Sequence, residues 1–281
     1  MKNNLFLRSS QSFYYLLPLL FLFTFAGCET EEMVAPNTSD LTSESLTAKK
    51  ATSEKLKTFY GPAQHVGNGV ARAFVEINRD GTPETIGVRI SEKGLEKLPG
   101  ADPAGHGPTY TLRIPNQTAG LPFDHIDLNY NPQGHPAPGI YTFEHFDFHF
   151  YMISVAQKMQ LTDRTTALRL PAESLWPDGY YPDPEFVPMM GLHWADPTGT
   201  EFTNPGSFTK TFIYGSYDAE FIFYEPMITV AHLESKVSST NPFPPLKEFG
   251  EAAYYPTSYS IDFDAQRKEY VISLGDMVWR D

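Results

Sequence analysis

The run EHFDFHFY, Glu144 to Tyr151, alternates polar and aromatic side chains with a period of two. Successive side chains of a strand point to opposite faces, whereas a helix would scatter them over its surface. As a strand, the run puts His145, Asp147 and His149 on one face together with Phe143 and Tyr151. Glu144, Phe146, Phe148 and Phe150 take the other face. The aromatic face belongs against a core. The polar face then looks into a cavity or into solvent. The same alternation recurs in FDHIDLNY, where Asp124, Ile126 and Leu128 oppose His125, Asp127 and Asn129, and again in TYTLRIP.

Most of the remaining chain reads as strands joined by turns. Val70 to Ile77 and Thr85 to Ile90 flank the turn NRDGTP, whose Asp80-Gly81 pair supplies hairpin chemistry. FTKTFIYGSYDAEFIFYEPMITVAHLES reads as a second hairpin turning at GSYDAE, and a third turns near Asp264. IYTFEHFDFHFYMIS reads as one long strand and GLHWAD as a strand end. SEKGLEKLP and VAQKMQLTDR read as short helical turns. The Pro-rich LPAESLWPDGYYPDPEFVPMM is expected to run irregularly over the surface or line a groove. These patterns define a mainly β fold: an antiparallel barrel or sandwich-like sheet with a few short helices, with an α+β sheet as the alternative.

The amino-terminal segment reads as an address, outside the fold. Lys2 and Arg8 precede the apolar run FYYLLPLLFLFTFAGC, which ends in small residues and Cys28. This is the layout of a secretory signal, and Pro18 and the abrupt polar sequence after Cys28 argue against a membrane-spanning helix. FAGC resembles the bacterial lipobox, which implies a signal peptide over 1–27 and a lipid on Cys28, with Phe25 or Thr24 where that pattern usually has Leu. Residues 28–56 are rich in Ser, Thr and Glu and read as a disordered tether. Glu29, Glu31 and Glu32 resemble a surface-export signal of Bacteroidetes lipoproteins. Residues 57–281 read as a single β-rich domain. The expected location is extracytoplasmic: an outer-membrane lipoprotein, periplasmic or surface-facing, with the lipid bilayer as a partner through Cys28. The net charge of −13 becomes −15 once Lys2 and Arg8 are removed with the signal. That repels nucleic acid and anionic membrane.

Cys28 is the only cysteine. The domain therefore has no thiolate ligand, internal disulfide or cysteine nucleophile to offer. A metal site would be built from N and O, which suits Zn, Fe, Mn, Ni or Cu. Along a strand, residues i and i+2 lie about 6.6–6.8 Å apart and i and i+4 about 13 Å, while ligands sit about 2.0–2.2 Å from zinc. His145 with Asp147, or Asp147 with His149, could share an ion. All three could do so only across a bulge. Further ligands must come from other segments, and His125, His135, His193 and Glu225 are the candidates. Two His and one carboxylate with open positions would also suit a mononuclear non-haem iron site. If the site is catalytic, Asp147 or Glu225 is the nearest candidate base, toward a small molecule.

Simpler readings stand beside this one. A His held by an Asp can do acid–base work without metal. His and Asp on one strand face can also form a satisfied structural network, for instance at a homo-oligomer contact. A non-catalytic envelope ligand-binding role would use Trp176, Trp194, Tyr180, Tyr181 and Tyr141 to line a groove. The chain has no HExxH, GxSxG, GxGxxG or P-loop, and Ser154 and Ser174 carry no nucleophile-elbow motif.

Three segments together, the run DHIDLNYNPQGHPAPGIYTFEHFDFHFYMI with its neighbours VPMMGLHWADPTGTEF and FTKTFIYGSYDAEFIFYEPMITVAHL, resemble a family of unknown function. Its members are secreted or lipid-anchored bacterial proteins of Thermus and Bacteroidetes. The resemblance implies a secreted, β-rich, oligomer-forming domain. It marks His125, His135, His145, Asp147, His149, His193 and Glu225 as motif residues, and it carries no reaction.

Overall fold

The structure is a computed structural model that describes residues 56–281 apart from 104, 118–119 and 136–138. The segments read as a signal peptide (1–27) and a tether (28–56), Cys28 among them, lie outside the described residues except for Leu56. The described part belongs to one compact unit.

Strands β1 (Lys57–Tyr60), β2 (Gln64–Val66), β3 (Gly69–Ile77) and β4 (Pro83–Ser91) open the first sheet. The second sheet takes β5 (Thr109–Arg113), β6 (His125–Asn131), β7 (His145–Tyr151), β8 (Tyr181–Val187), β9 (Gly191–Ala195), β10 (Lys210–Tyr217) and β11 (Glu220–Thr229). The chain returns through β12 (Ser239–Pro242), β13 (Ala253–Tyr255), β14 (Ser258–Asp264), β15 (Glu269–Gly275) and β16 (Val278–Arg280). The first sheet runs β1-β3-β4-β15-β14-β12, with β2 also on β3. The second runs β5-β6-β7-β11-β10-β9-β8, and β13 with β16 makes a ribbon. Every pairing is antiparallel. The fold is a mainly β, sandwich-like arrangement and not a closed barrel. Among the described residues, four short α-helices, α1 (Val155–Lys158), α2 (Arg164–Ala167), α3 (Thr200–Thr203) and α4 (Val230–Glu234), sit in the connections.

One core lies between the sheets. Ala73, Val75, Ile86, Val88, Ile272 and Leu274 of the first sheet meet Ile126, Leu128, Phe146, Phe148, Phe150, Tyr224 and Ile228 of the second. Burial of such side chains contributes about 1.5–3 kcal/mol each, which pins the register: a one-residue slip of β7 would exchange its three phenylalanines for His, Asp and His.

All seven residues of β7 are buried. The first sheet covers its aromatic face, and the connections cover its polar face. Tyr141, Phe208, Ile213 and Met227 cluster over one end of that face. Tyr151, Leu161, Ile222 and Phe223 cluster over the other.

The structure departs from the sequence reading in three places. Strand β7 is only His145–Tyr151, because bends and turns occupy Gly139 to Glu144. The Pro-rich segment contains an edge strand, β8, with Pro182 and Pro184 in it; prolines are tolerated there because an edge leaves N–H groups unused. Trp194 does not line a groove. It is fully buried on the core side, packs edge-on against Trp176 and donates Nε1–H to Ser216 Oγ. Tyr141 and Tyr180 are also buried, whereas Tyr181 is exposed.

Candidate metal centre on the covered face of the second sheet

Strand register assembles the site. Asp127 pairs with His149, Asn129 with Asp147, Asn131 with His145, and His125 with Tyr151. On the other side of β7, Met227 is opposite Asp147 and Thr229 opposite His145. The β7–β11 ladder carries Phe223 and Tyr224, omits Glu225 and Pro226, and resumes at Met227. Pro226 has no N–H to give to a ladder. Strand β11 is central in the sheet, and its pairing with β7 lapses where Glu225 meets His149. Gly215, paired with His193, provides the next device. A Cβ there would lie 2.0 Å from the Phe223 ring. Glycine thus lets Phe223 settle edge-on against His149, with ring centroids 4.8 Å apart, and beside His193 at 5.7 Å.

Six of the seven ligand candidates fall into two groups: His135, His145 and Asp147 in one, and His149, His193 and Glu225 in the other. Within each group one ligand atom per residue lies within 4.8 Å of the others. In the first, His145 Nε2 is 3.1 Å from Asp147 Oδ1, and His135 Nε2 is 3.7 Å from Asp147 Oδ2. In the second, His149 Nε2 and His193 Nε2 lie 3.3 and 3.8 Å from Glu225 Oε2. An ion at about 2.1 Å requires ligand–ligand separations of about 3.0 Å for octahedral neighbours and about 3.4 Å for tetrahedral ones. Both groups approach these values. Strand β7 thus gives two residues to one group and one to the other.

His125 joins neither. Its Nδ1 lies 2.9 Å from Asp124 Oδ1, and its Nε2 is 4.0 Å from Asp127 Oδ1. Its ring stacks on Tyr151, which also stacks on His149.

Burial and charge set the protonation states. Burial is the main force on His149 and His193 and lowers them to about 3 and about 4; the charge of His193 adds to this at His149, and that of His135 at His193. Burial, then the charge of Asp147, raises Glu225 well above its ordinary 4.5. The His149–Glu225 contact is therefore between neutral groups in the metal-free protein. The other group behaves oppositely. Burial would raise Asp147, but the charge and hydrogen bonding of His145, then the charges of His135 and His149, hold it well below the usual carboxylate range. Burial would lower His145, but Asp147 and the Phe143 carbonyl raise it instead.

Several residues at the site were not picked out from sequence. Asn131 donates to Asp147 Oδ2 at 2.6 Å. Lys158, buried, hydrogen-bonds Asp127 and is carried over the sheet by α1, which starts in a Ser154/Gln157 capping box. The Ser154-x-x-Gln157 spacing is visible in sequence and marks that helix start.

The fold and site define an antiparallel β protein with a His/carboxylate cluster under its connecting loops. A family model described as TTHB210-like (hypothetical protein TTHB210) matches residues 78–130. This is consistent with an unknown-function family of Thermus, and the match ends before the NPQGH, HFDFHFY, GLHWAD and YEPMIT segments. No curated protein and no solved structure matched the chain.

Proposed function

We propose that this chain is a lipid-anchored extracytoplasmic domain that holds a divalent transition metal on the covered face of its second sheet and acts there on a small molecule. The observation that carries the proposal is the pair of buried His/carboxylate groups, each with ligand atoms within 4.8 Å of one another. Zn, Fe, Mn, Ni and Cu all accept such N/O sets. A bound ion would polarise an oxygen or bring a water to a pKa near 7, as in zinc hydrolases.

The residues support a working site as well as a structural one. His135 and His193 are the partly exposed members, with side chains 32% and 22% accessible, so each group is reachable from solvent. His145, held by Asp147 and by a 2.6 Å contact from Nδ1 to the Phe143 carbonyl, forms a base–orienter pair able to move a proton. The anchoring part of the proposal rests on FAGC at Cys28 and the polar stretch after it. Among the described residues no helix is long and apolar enough to cross a membrane.

Elemental analysis of the purified full chain tests the metal reading. Retention of about one equivalent or more of one of these metals is expected. Less than about a tenth of an equivalent, before and after attempted reloading, sinks it.

A further inference from the structure

The two His/carboxylate groups differ in how their polar atoms are served. In the first, Asp147 Oδ1 is the group's one buried polar atom without a hydrogen-bond partner among the described residues; Asp147 Oδ2 accepts from Asn131 Nδ2 at 2.6 Å, and His145 Nδ1 is 2.6 Å from the Phe143 carbonyl. The Asn131 amide also lies 3.3 Å from His145 Nε2. In the second, neither ring nitrogen of His149 has a hydrogen-bond partner among the described residues, and neither does Glu225 Oε2. These two side chains are 1% and 2% exposed. Buried polar atoms are almost always partnered, and each exception calls for a partner the protein itself does not supply. His149 Nε2 sits 3.3 Å from Glu225 Oε2 yet is not aligned with it as a donor. His145 Nε2 and Asp147 Oδ1 stand at a similar 3.1 Å, but both His145 ring nitrogens have neighbours in Phe143 and Asn131, whereas those of His149 have none and are left for an ion.

We infer that a single divalent ion is held by His149, His193 and Glu225, and that His135, His145 and Asp147 form a hydrogen-bonded group beside it and not a second ion site. The inference rests on the metal-binding reading above and narrows it to a two-histidine, one-carboxylate centre. Three protein ligands leave a position open to an exogenous oxygen donor. His149 and Glu225 already stand at tetrahedral ligand spacing. His193 Nε2, 3.8 Å from Glu225 Oε2, lies about 0.4 Å beyond that spacing from the carboxylate.

The test is metal stoichiometry of the full chain, stripped with chelator and reloaded with Zn²⁺ or, separately, Co²⁺. Wild type is expected to hold about one equivalent, Glu225→Gln and His193→Gln less than about a fifth, and Asp147→Asn and His135→Gln more than about four-fifths. The Co²⁺ visible spectrum should survive in the latter two variants and vanish in the former two. Two equivalents in wild type would overturn the inference. So would loss of metal in Asp147→Asn or His135→Gln with retention in Glu225→Gln. No metal in wild type would instead defeat the functional proposal itself. Should Glu225→Gln fail to fold by circular dichroism, His193→Gln decides the question, because its partly exposed ring is the least demanding to replace.

Discussion

Replacing Glu225 by Gln should stabilise the metal-free protein progressively as pH rises, relative to wild type. Burial and the charge of Asp147 raise the folded-state pKa of Glu225 well above 4.5. Between the unfolded value and the folded one, the folded chain keeps a proton that the unfolded chain has released. Stability must therefore fall as pH rises through that window, by up to about 1.4 kcal/mol per pH unit. Over two pH units inside the window, wild type loses about 2.7 kcal/mol that the variant keeps, or about 5–11 °C in Tm for a domain of this size. The introduced amide brings a constant cost of about 1–3 kcal/mol if its donors go unmet, so the slope and not the offset is diagnostic. His149 and His193, lowered to about 3 and about 4, contribute the opposite trend. Below pH 6.5 the unfolded imidazoles bind protons that the folded ones refuse, and stability is lost as pH falls. Both proteins share that trend, so it cancels in the difference. Urea denaturation in chelator at several pH values from 5 to 8 measures the difference directly. A variant-minus-wild-type difference that is flat with pH, or that falls as pH rises, would refute the reasoning.

Three other perturbations probe the surroundings. Lys158→Met leaves Asp127 buried without its cation and should cost about 3–5 kcal/mol in urea denaturation, with much of the loss recovered by adding Asp127→Asn. Gly215→Ala must push the Phe223 ring away from His149 and His193, and should weaken metal affinity by about 10–100-fold in chelator competition. Cys28→Ser should move the protein from the membrane fraction to the soluble fraction on cell fractionation; unchanged membrane retention would remove the lipid-anchor reading.

Period-two patterning carried most of the fold because it is a local signal with a physical cause. Phe146, Phe148 and Phe150 are core, and His145, Asp147 and His149 share the other face, as the alternation requires. The limit of two ligands per ion from this strand also follows from strand rise alone, and His145 and Asp147 lie together in one group while His149 lies in the other. What the alternation could not convey was non-local. That Glu225 lies across from His149 depends on β7 pairing with β11, which are 69 or more residues apart in the chain. Pro226 sits in a central strand with a local lapse in its ladder, a feature set by the neighbouring strands and not by local pattern. Lys158 carried no signal of burial, since a lysine near the end of a short helix is usually a solvated charge. His125 looked equivalent to its neighbours in pattern. Its separation came from Asp124, the adjacent residue, which takes its Nδ1.

The edge strand β8 has a consequence for how copies of this chain could associate. A strand at the rim of a sheet is a template on which another strand can be laid, and each proline in it deletes one hydrogen-bond donor from that template. Pro182 and Pro184 sit within four residues of each other, and the register with β9 slips between Pro182 and Phe186. The second sheet thus ends in a frayed hem that a second copy would find hard to extend. A homo-oligomer of this protein is expected to join through side chains or through another rim, leaving the loops over the histidines uncrossed by any continuous intermolecular sheet at this end.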